Sequence, residues 1–308
     1  MSLDYLISLC VPTNGVIEWV VPVIDSIFAE KSPVGAFEVI VTDNGKNIEF
    51  ENIMHEYETR YTNLIYKKTE AVQFQNQIEA FKIAKGSLIK FVNHRMKFLP
   101  GTLNYLIQYT KENIEEKPIT YFSNGELKNL PEFTKVSTFD KFVRSLSYFS
   151  SWSAGMTMWK TDFEKMDNDK TFNRYFPHID MLFFNKTAEK YVIVNNALME
   201  QIPVDDTKKG RYDLFDAFAY EYVKVLENLY IEGYITCDTF NYVKNENRRF
   251  VAKLYYRYVL RKKPCSYELS GFNQAVVHYY SRKEVYMAIP RFIICDFYRM
   301  IVKTVIKR

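Results

Sequence analysis

Glycine is scarce in this sequence, with 10 residues among 308. Neither the GxxxxGK[ST] pattern of a P-loop nor the GxGxxG pattern of a dinucleotide-binding turn occurs. Both patterns use glycine because its bare backbone can approach phosphate groups closely. Their absence argues against a P-loop enzyme and against a standard dinucleotide-binding fold.

Cysteine is also rare. The four cysteines, Cys10, Cys237, Cys265 and Cys295, form no CxxC pair, and Cys10 lies in an apolar segment. We interpret them as free thiols of a reducing compartment, and not as a disulfide framework or a zinc site. The sequence has no run of about 18 apolar residues, as a transmembrane helix would need, and no signal peptide pattern at its start. We therefore expect a cytoplasmic location.

Aromatic residues, in contrast, are abundant. They make up 17% of the sequence and include 24 Tyr and 24 Phe. With 47% hydrophobic and 25% charged residues, the composition is typical of a folded globular protein. The formal net charge of +4 is too small to imply nucleic-acid binding, and no motif supports it. The length of 308 residues fits one large domain, or one domain with an appendage.

Short apolar segments alternate with segments of helical periodicity in the first part of the chain. The predicted strands are Tyr5–Val11, Phe37–Val41, Leu64–Tyr66 and Leu88–Val92. This alternation predicts an α/β fold with a mostly parallel central sheet flanked by helices. After about residue 213 the pattern is helical throughout, so we predict a catalytic domain at residues 1–212 and a helical C-terminal region at residues 213–308.

The fourth predicted strand ends abruptly in the polar residues Asn93, His94 and Arg95, and Pro100-Gly101 follows. In open α/β sheets, ligands bind beyond the carboxyl ends of the strands. These three residues are therefore candidates for a ligand-binding site.

Four segments match, in order, the motifs of one enzyme family. They are Leu6–Thr13, Phe37–Gly45, Asn76 with Ala84–Gly86, and Phe91–Leu103. Together they resemble the family 2 glycosyltransferases of the GT-A fold, of the bacterial surface-polysaccharide type, over roughly residues 3–215. The resemblance implies a nucleotide-diphospho-sugar transferase fold and an inverting transfer of a sugar from a nucleotide-sugar donor to a glycan or lipid-linked acceptor.

The resemblance also implies donor-binding roles for five residues. Pro12, Thr13 and Asn14 match the turn whose backbone contacts the nucleotide, Asp43 matches the residue that hydrogen-bonds the base, and Asn76 matches a helix residue before the metal-binding strand. The residues themselves leave alternatives open. The segments around Asp43 and Thr13 are also simple turn formers, and Asn76 also fits a solvated position on a helix.

Asn93, His94 and Arg95 stand where the family has the "DxD" carboxylates that bind Mn²⁺ or Mg²⁺. Hard divalent cations prefer oxygen ligands, and Asn93 keeps only one neutral oxygen. Arg95 would repel a metal ion, and we interpret His94 as a structural histidine. The sequence therefore disfavours a Mg²⁺ or Mn²⁺ site, and we expect no cofactor.

Three interpretations of this departure remain open. In the first, Arg95 replaces the metal, because a guanidinium binds phosphate oxygens in bidentate geometry and keeps its charge; Lys97 would assist. In the second, the domain is a degenerate, non-catalytic homologue that binds a glycan or a partner. In the third, the stretch is a surface loop and the match is misaligned.

An inverting transferase needs a carboxylate base that deprotonates the acceptor hydroxyl. In the family this acid stands near the start of a helix, and the matching residue here is Asp180, in a segment that leads into a helix predicted near Met181. His178 would orient Asp180 or contact the acceptor. The alternative is that Asp180 is a helix N-terminal acid stabilised by the macrodipole.

The segment Ser153–Met156 resembles the family's acceptor segment, which makes Gly155 and the preceding Trp152 candidates for acceptor binding. The alternative role of Trp152 is core packing. Residues 123–140 are predicted to form a variable loop. Lys208, Lys209 and Arg211 match a loop that closes over the diphosphate in the family, and the alternative is a solvated basic loop.

Two basic segments occupy the C-terminal region. Residues 248–263 contain seven basic residues and no acid, and residues 290–308 contain five basic residues and one acid. Both mix aromatic and aliphatic residues with Lys and Arg, as do helices that lie on anionic membrane surfaces. We therefore predict peripheral attachment to the inner face of the cell membrane; the alternative is ordinary helix packing with extended basic side chains.

Overall fold

The structure is a computed structural model that describes residues 5–167 and 170–306. The chain divides into two compact units. Unit 1 consists of Met1–Phe142 and Phe149–Val204, and unit 2 consists of Val143–Tyr148 and Asp205–Arg308. Each unit is described by itself below.

Unit 1 is built on a mostly parallel central sheet. The strands of unit 1, in chain order, are β1 (Ile7–Thr13), β2 (Phe37–Asp43), β3 (Leu64–Lys68), β4 (Leu88–Phe91), β5 (Met96–Phe98), β6 (Ile119–Phe122), β7 (Phe133–Val136), β8 (Thr157–Trp159), β9 (Tyr191–Val194) and β10 (Met199–Gln201). The central sheet has the order β3-β2-β1-β4-β8, and β8 alone in this sheet runs antiparallel to its neighbour. The predicted fold class is confirmed.

The central strands are buried, and most of their residues are apolar. Every residue of β2 is buried, which is the pattern expected of a parallel strand inside an α/β sheet. The helices of unit 1 are α1 (Ile17–Phe28), α2 (Ile48–Arg60), α3 (Asn76–Ile83), α4 (Thr102–Asn113), α6 (Lys160–Phe163) and α7 (Pro177–Leu182), while α5 (Phe139–Leu146) runs from unit 1 into unit 2. One side of α1, including Val20, Ile24 and Ile27, packs into the core.

Two smaller sheets complete unit 1, and they differ from the sequence-based expectation. β7 lies within the predicted variable loop 123–140, where it pairs antiparallel with β9. β5 and β10 pair antiparallel although about a hundred residues separate them. The helix expected near Met181 begins at Pro177, whose fixed φ favours the first position of a helix. These strands are short, and their stability comes from pairing with distant partners.

Unit 2 is helical, as predicted for the C-terminal region. Its helices are α8 (Tyr222–Ile231), α9 (Cys237–Leu254), α10 (Phe272–Val276), α11 (Arg282–Met287) and α12 (Pro290–Ile306). A π-helical segment, Tyr255–Leu260, continues α9. The Thr236 hydroxyl accepts from Thr239 N and so caps the start of α9. The longer segment of unit 2 begins at Asp205, a few residues before residue 213, and unit 2 also includes Val143–Tyr148. Among the described residues, none of the helices combines the length and apolarity needed to span a membrane.

Candidate active site

The carboxyl ends of β1, β2 and β4 meet at one edge of the central sheet. Thr13 lies beside Asp43 in the parallel register of β1 and β2, and β4 runs parallel to β1 on its other side. Asn93, His94 and Arg95 come one residue after the end of β4. The structure therefore gathers the polar residues that end these three strands into one crevice, which we call the strand-end crevice.

Asn76 ties two of these strand ends together. Its side-chain amide donates to the carbonyl oxygens of Thr13 at 3.1 Å and Thr42 at 2.8 Å, and its Oδ1 accepts from the Thr69 hydroxyl at 2.8 Å. Asn76 is buried, so it is not the solvated helix residue of the alternative interpretation. These contacts are with two backbone carbonyls and one threonine side chain of the protein itself, and contact with a donor stays a prediction.

Asp43 is fully buried and held from three sides. Its Oδ1 accepts from Gly45 N at 2.7 Å, and its Oδ2 accepts from the Tyr66 hydroxyl at 3.0 Å and from Lys68 Nζ at 2.8 Å. The Gly45 contact is an Asx-type turn, as the turn interpretation expects. Tyr66 and Lys68 were not singled out from the sequence, although Lys68 ends β3 and the same strand-end rule applies to it. Base recognition by Asp43 stays a prediction.

The turn after β1 is packed tightly against the turn after β2. A Cβ on Gly45 would lie 2.1 Å from the Asn14 carbonyl oxygen, so only glycine allows this approach. Pro12 is partly buried, Thr13 is buried and Asn14 is exposed. The Asn14 side chain is thus exposed to solvent, whereas the Thr13 hydroxyl contacts Gly15 N and His94 Nδ1.

His94 and Arg95 are oriented by neighbours within the crevice. His94 Nδ1 lies 2.8 Å from the Thr13 hydroxyl. Burial, followed by the Arg95 guanidinium, holds the pKa of His94 well below its ordinary value, so the ring is neutral at pH 7. Asn93 Oδ1 accepts from Arg95 N at 3.0 Å and from Arg95 Nε at 3.3 Å, and the guanidinium carbon lies 5.6 Å from the Trp19 ring centroid.

Trp19 lies in α1 and matches none of the motifs found in the sequence. In the structure its ring lies 5.5 Å from the His94 ring and beneath the Arg95 guanidinium. A tryptophan face attracts a cation and limits its freedom. Trp19 therefore fixes the direction of the one positive charge in the Asn93–Arg95 stretch, a role that no local sequence pattern reveals.

The residues of the strand-end crevice do not fit a carboxylate-held divalent cation. The residues at the end of β4 offer an amide oxygen, a ring nitrogen directed at Thr13 and a guanidinium. Within residues 5–167 and 170–306, no group of three His, Cys, Asp or Glu side chains is placed to hold a metal ion. We derive no step through a metal, and the predicted lack of a cofactor stays a prediction.

Asp180 lies in the first turn of α7, and two hydrogen bonds connect it through Asn173 to Gln75. Its Oδ2 accepts from Asn173 N at 2.6 Å, and the Asn173 carbonyl accepts from the Gln75 amide at 3.1 Å, next to Asn76. Burial raises the pKa of Asp180, while the Asn173 N–H and two lysines, Lys170 and Lys186, act in the opposite direction. A raised pKa suits a carboxylate that must accept a proton.

His178 is buried two residues before Asp180. Burial lowers its pKa to about 4, although the backbone of Ser151 and Ser150 opposes this, so its ring is neutral at pH 7. No hydrogen bond of good geometry to its ring nitrogens is found among the described residues. Its surroundings fit a packing role, and contact with an acceptor stays a prediction.

The predicted acceptor segment lies beside β4. Phe91 N donates to the Met156 carbonyl at 3.2 Å, so the segment containing Gly155 lies beside the end of β4, two residues before Asn93. Trp152 is partly buried and packs against the hydrophobic core. Gly155 lies against the buried Tyr121 ring, where a Cβ would be 2.2 Å from Cζ. Both residues therefore have structural roles, and sugar contacts by them stay predictions.

Replacing Gly155 with alanine is expected to lower the free energy of unfolding by about 3 kcal/mol, the upper range for overpacking a core. The Tyr121 ring cannot move aside easily, because its hydroxyl donates to the carbonyls of Phe149 at 2.5 Å and Trp152 at 2.9 Å. The matched control is Gly35→Ala, where a new Cβ meets no atom within 4 Å. Urea unfolding followed by tryptophan fluorescence measures both. Equal stability of the two variants would contradict the packing argument.

Lys90 is a buried cation that sequence analysis did not identify. It lies inside β4, and its Nζ donates to the Phe91 carbonyl at 2.9 Å and to the Ala154 carbonyl. The ammonium group therefore joins β4 to the acceptor segment. Burial lowers the pKa of Lys90 to about 7. The sequence feature that could have identified Lys90 is a lone lysine within an apolar strand.

The pKa of Lys90 makes the stability of unit 1 depend on pH. Between pH 7 and pH 10.5 the unfolded chain holds this proton and the folded chain releases it, so stability is expected to rise with pH, by up to about 1.4 kcal/mol per pH unit. Below pH 7 both states are protonated and the slope disappears. Urea unfolding of wild type and Lys90→Met, followed by tryptophan fluorescence from pH 6 to about 9, tests this. The signal reports on unit 1, because the tryptophans occur only there. Identical pH slopes would contradict it.

Lys208, Lys209 and Arg211 belong to unit 2. Lys209 pairs with Asp206 at 2.7 Å, and the exposed Arg211 pairs with Glu268 at 2.9 Å. Their predicted role at the diphosphate stays a prediction.

Comparison with known proteins addresses the fold. A scan against protein-family models finds no match, and a search of curated proteins finds none. Among solved structures, S. aureus TarS 1–349 aligns with a TM-score of 0.53 at 14% identity, covering 82% of this chain and 71% of that chain. The complex of TarS 1–349 with UDP-GlcNAc aligns with a TM-score of 0.55 at 15% identity, covering 82% and 72%.

The chain shares its fold with TarS. At 14–15% identity the likeness concerns the fold, and it leaves the roles of individual residues to the geometry described above. The aligned portion includes most of this chain, but it spans 43% of a longer TarS structure.

Proposed function

We propose that this protein is an inverting glycosyltransferase that moves a sugar from a nucleotide-sugar donor to a glycan or lipid-linked acceptor in bacterial surface-polysaccharide synthesis. The observation that carries the proposal is the strand-end crevice, in which Asn14, Asn93 and Arg95 lie at the carboxyl ends of adjacent parallel strands. This is where open α/β sheets bind nucleotides. The likeness to a structure holding UDP-GlcNAc supports a nucleotide-sugar as the donor class.

In the proposed reaction, the acceptor oxygen attacks the anomeric carbon while the bond from that carbon to the diphosphate breaks. The acceptor proton passes to the Asp180 carboxylate, whose pKa burial has raised. Negative charge develops on the leaving diphosphate, and the Arg95 guanidinium stabilises it by charge-assisted hydrogen bonds. Asn93 and Trp19 hold the guanidinium in place.

A thermal-shift screen of nucleoside diphosphates tests donor binding. A ligand at about 100 times its dissociation constant adds about 2.7 kcal/mol to the stability of the folded state. We expect at least one nucleoside diphosphate to raise the melting temperature, and the matching nucleoside without phosphates to do so much less. Trp19 fluorescence provides a second signal of nucleotide binding, because the Trp19 ring lies beside His94 and Arg95.

The second candidate is a non-catalytic homologue that binds a glycan or a partner. The observation that favours it is the lack of carboxylates at the end of β4. If no nucleoside diphosphate binds, this second function is supported. If a nucleotide binds but neither donor hydrolysis nor transfer occurs, the domain is a nucleotide-binding homologue without catalysis.

We also propose that unit 2 attaches the protein peripherally to an anionic membrane surface on the cytoplasmic side. Its support is the density of basic and apolar residues in residues 248–263 and 290–308. A lipid-linked acceptor would then be within reach of the enzyme.

A further inference from the structure

Unit 2 contains a cleft between the C-terminal half of α9, with its π-helical continuation, and the first turns of α12. Its volume is about 390 Å³. Arg249, Lys253 and Arg257 line it from one side because they are spaced four residues apart and so lie on one face. Phe250 and Phe292 supply apolar walls. We call this space the basic cleft.

The basic cleft carries an excess of positive charge. Six basic and two acidic side chains line it. Three of the arginines are paired with carboxylates: Arg249 with Glu246, Arg257 with Asp206 and Arg261 with Asp296. The other three basic residues, Lys253, Lys263 and Arg291, are exposed and show no carboxylate partner within the described part of the chain. Their charges are available to an anion.

The opposite side of α12 is apolar and exposed. Ile293, Ile294, Phe297 and Tyr298 have exposed fractions of 50%, 67%, 60% and 67%. They recur at spacings of four residues, so they form one continuous stripe, which we call the apolar ridge. Contiguous exposed apolar side chains mark interaction surfaces, including membrane-binding ones. Phe292, Cys295 and Asp296 on the same helix face the basic cleft instead.

We propose that the basic cleft binds the phosphate of an anionic phospholipid headgroup while the apolar ridge enters the acyl boundary of the same bilayer. The two features belong to one short helix segment, and a membrane surface offers both complements together: phosphate oxygens for Lys253, Lys263 and Arg291, and hydrocarbon for the ridge. A free anion would satisfy the cleft and leave the ridge in water. The inference deepens the proposed peripheral attachment, and it is independent of sugar transfer.

Vesicle flotation tests the basic cleft. The full chain is mixed with phosphatidylcholine vesicles or with vesicles that also contain phosphatidylglycerol, and the bound fraction is measured. Each Lys or Arg near an anionic surface contributes about 1 kcal/mol, so we expect Lys253→Gln/Lys263→Gln/Arg291→Gln to weaken binding to the anionic vesicles by on the order of 100-fold. The matched control, Lys31→Gln/Lys111→Gln/Lys283→Gln, removes three exposed charges elsewhere and is expected to bind nearly as wild type.

The apolar ridge is tested by Ile294→Ser/Phe297→Ser, which keeps every charge. We expect it to weaken binding to the same vesicles by at least 10-fold, since each apolar side chain withdrawn from water contributes to insertion. Both side chains are exposed, so folding does not depend on them, and a melting curve checks this. Light scattering without vesicles detects self-association, and loss of self-association in the ridge variant would assign the ridge to a second copy.

The outcomes distinguish the proposed peripheral attachment from the proposed headgroup site in the basic cleft. If wild type binds anionic vesicles and the cleft variant behaves as its control does, the basic cleft is not the headgroup site, although peripheral attachment stands. If wild type binds no vesicles, both the attachment and the cleft proposal are wrong, while nucleotide binding and transfer remain separately measurable. Equal binding to both vesicle types would also overturn the role of the anionic headgroup.

Discussion

Arg95→Ala is expected to lower the rate of sugar transfer by about 100- to 1,000-fold, the usual effect of removing one preorganised charge from a developing anion. The guanidinium is held by Asn93 Oδ1 and by the Trp19 ring, so it is positioned before a donor binds. Arg95→Lys should recover part of the rate, because it restores the charge without the bidentate geometry. The measurement is kcat for donor turnover with a sugar acceptor or with water.

The control for this variant is Arg60→Ala. The Arg60 guanidinium also lies over aromatic rings, those of Tyr57 and Tyr61, but in α2 and not after β4. We expect its turnover to equal that of wild type. Each protein is assayed with and without EDTA. Activity that survives EDTA and is lost in Arg95→Ala supports an arginine in place of a metal, whereas complete loss of wild-type activity in EDTA would rule that role out.

Asp180→Asn is expected to lower kcat by about 100- to 10,000-fold, because the acceptor hydroxyl then has no carboxylate to receive its proton. Asparagine keeps an oxygen that can accept from Asn173 N, so the loop before α7 is retained. Nucleotide binding should therefore stay unchanged, which separates loss of the base from loss of the fold. Rescue of donor hydrolysis by a small exogenous carboxylate such as formate would strengthen the assignment.

Asp238→Asn is the matched control, since Asp238 also lies in the first turn of a helix, α9. If Asp180 served only the helix macrodipole, both variants would lose a few tenths of a kcal/mol of stability and no activity. The pH profile gives a second criterion. Burial raises the pKa of Asp180, so activity should fall with decreasing pH at a higher pH than an ordinary aspartate would produce. Unchanged kcat in Asp180→Asn would exclude it as the base.

Strand–helix alternation and the polar residues that end the strands could be read from the sequence, because each depends on neighbours in the chain. Short, mostly apolar segments such as Val39–Val41 in β2 identify strands buried on both faces. Since the carboxyl ends of parallel strands meet at one edge, Thr13, Asp43 and Asn93 could be expected in one crevice before any coordinates were known. The helical nature of the C-terminal region was equally visible from its periodicity.

Pairing between distant segments could not be read in this way. β7 was hidden in an expected loop because its four residues become a strand only beside β9. The contacts of Trp19 with Arg95 join a helix to a strand end, and those of Lys90 with Ala154 join a strand to a loop. No periodicity records such contacts, since they arise when separate elements pack.

The sequence by itself determined the fold class, the edge of the sheet where polar residues collect and the departure at Asn93, His94 and Arg95 from a carboxylate-held metal site. These follow from local periodicity and residue chemistry. Only the tertiary structure decided that Asn93 and Trp19 orient Arg95 and that Asn76 is buried. It also decided that Lys90 holds Ala154 beside β4, and that a basic cleft lies behind an apolar ridge on α12. Orientation, burial and charge balance depend on which distant side chains meet, and packing alone sets that.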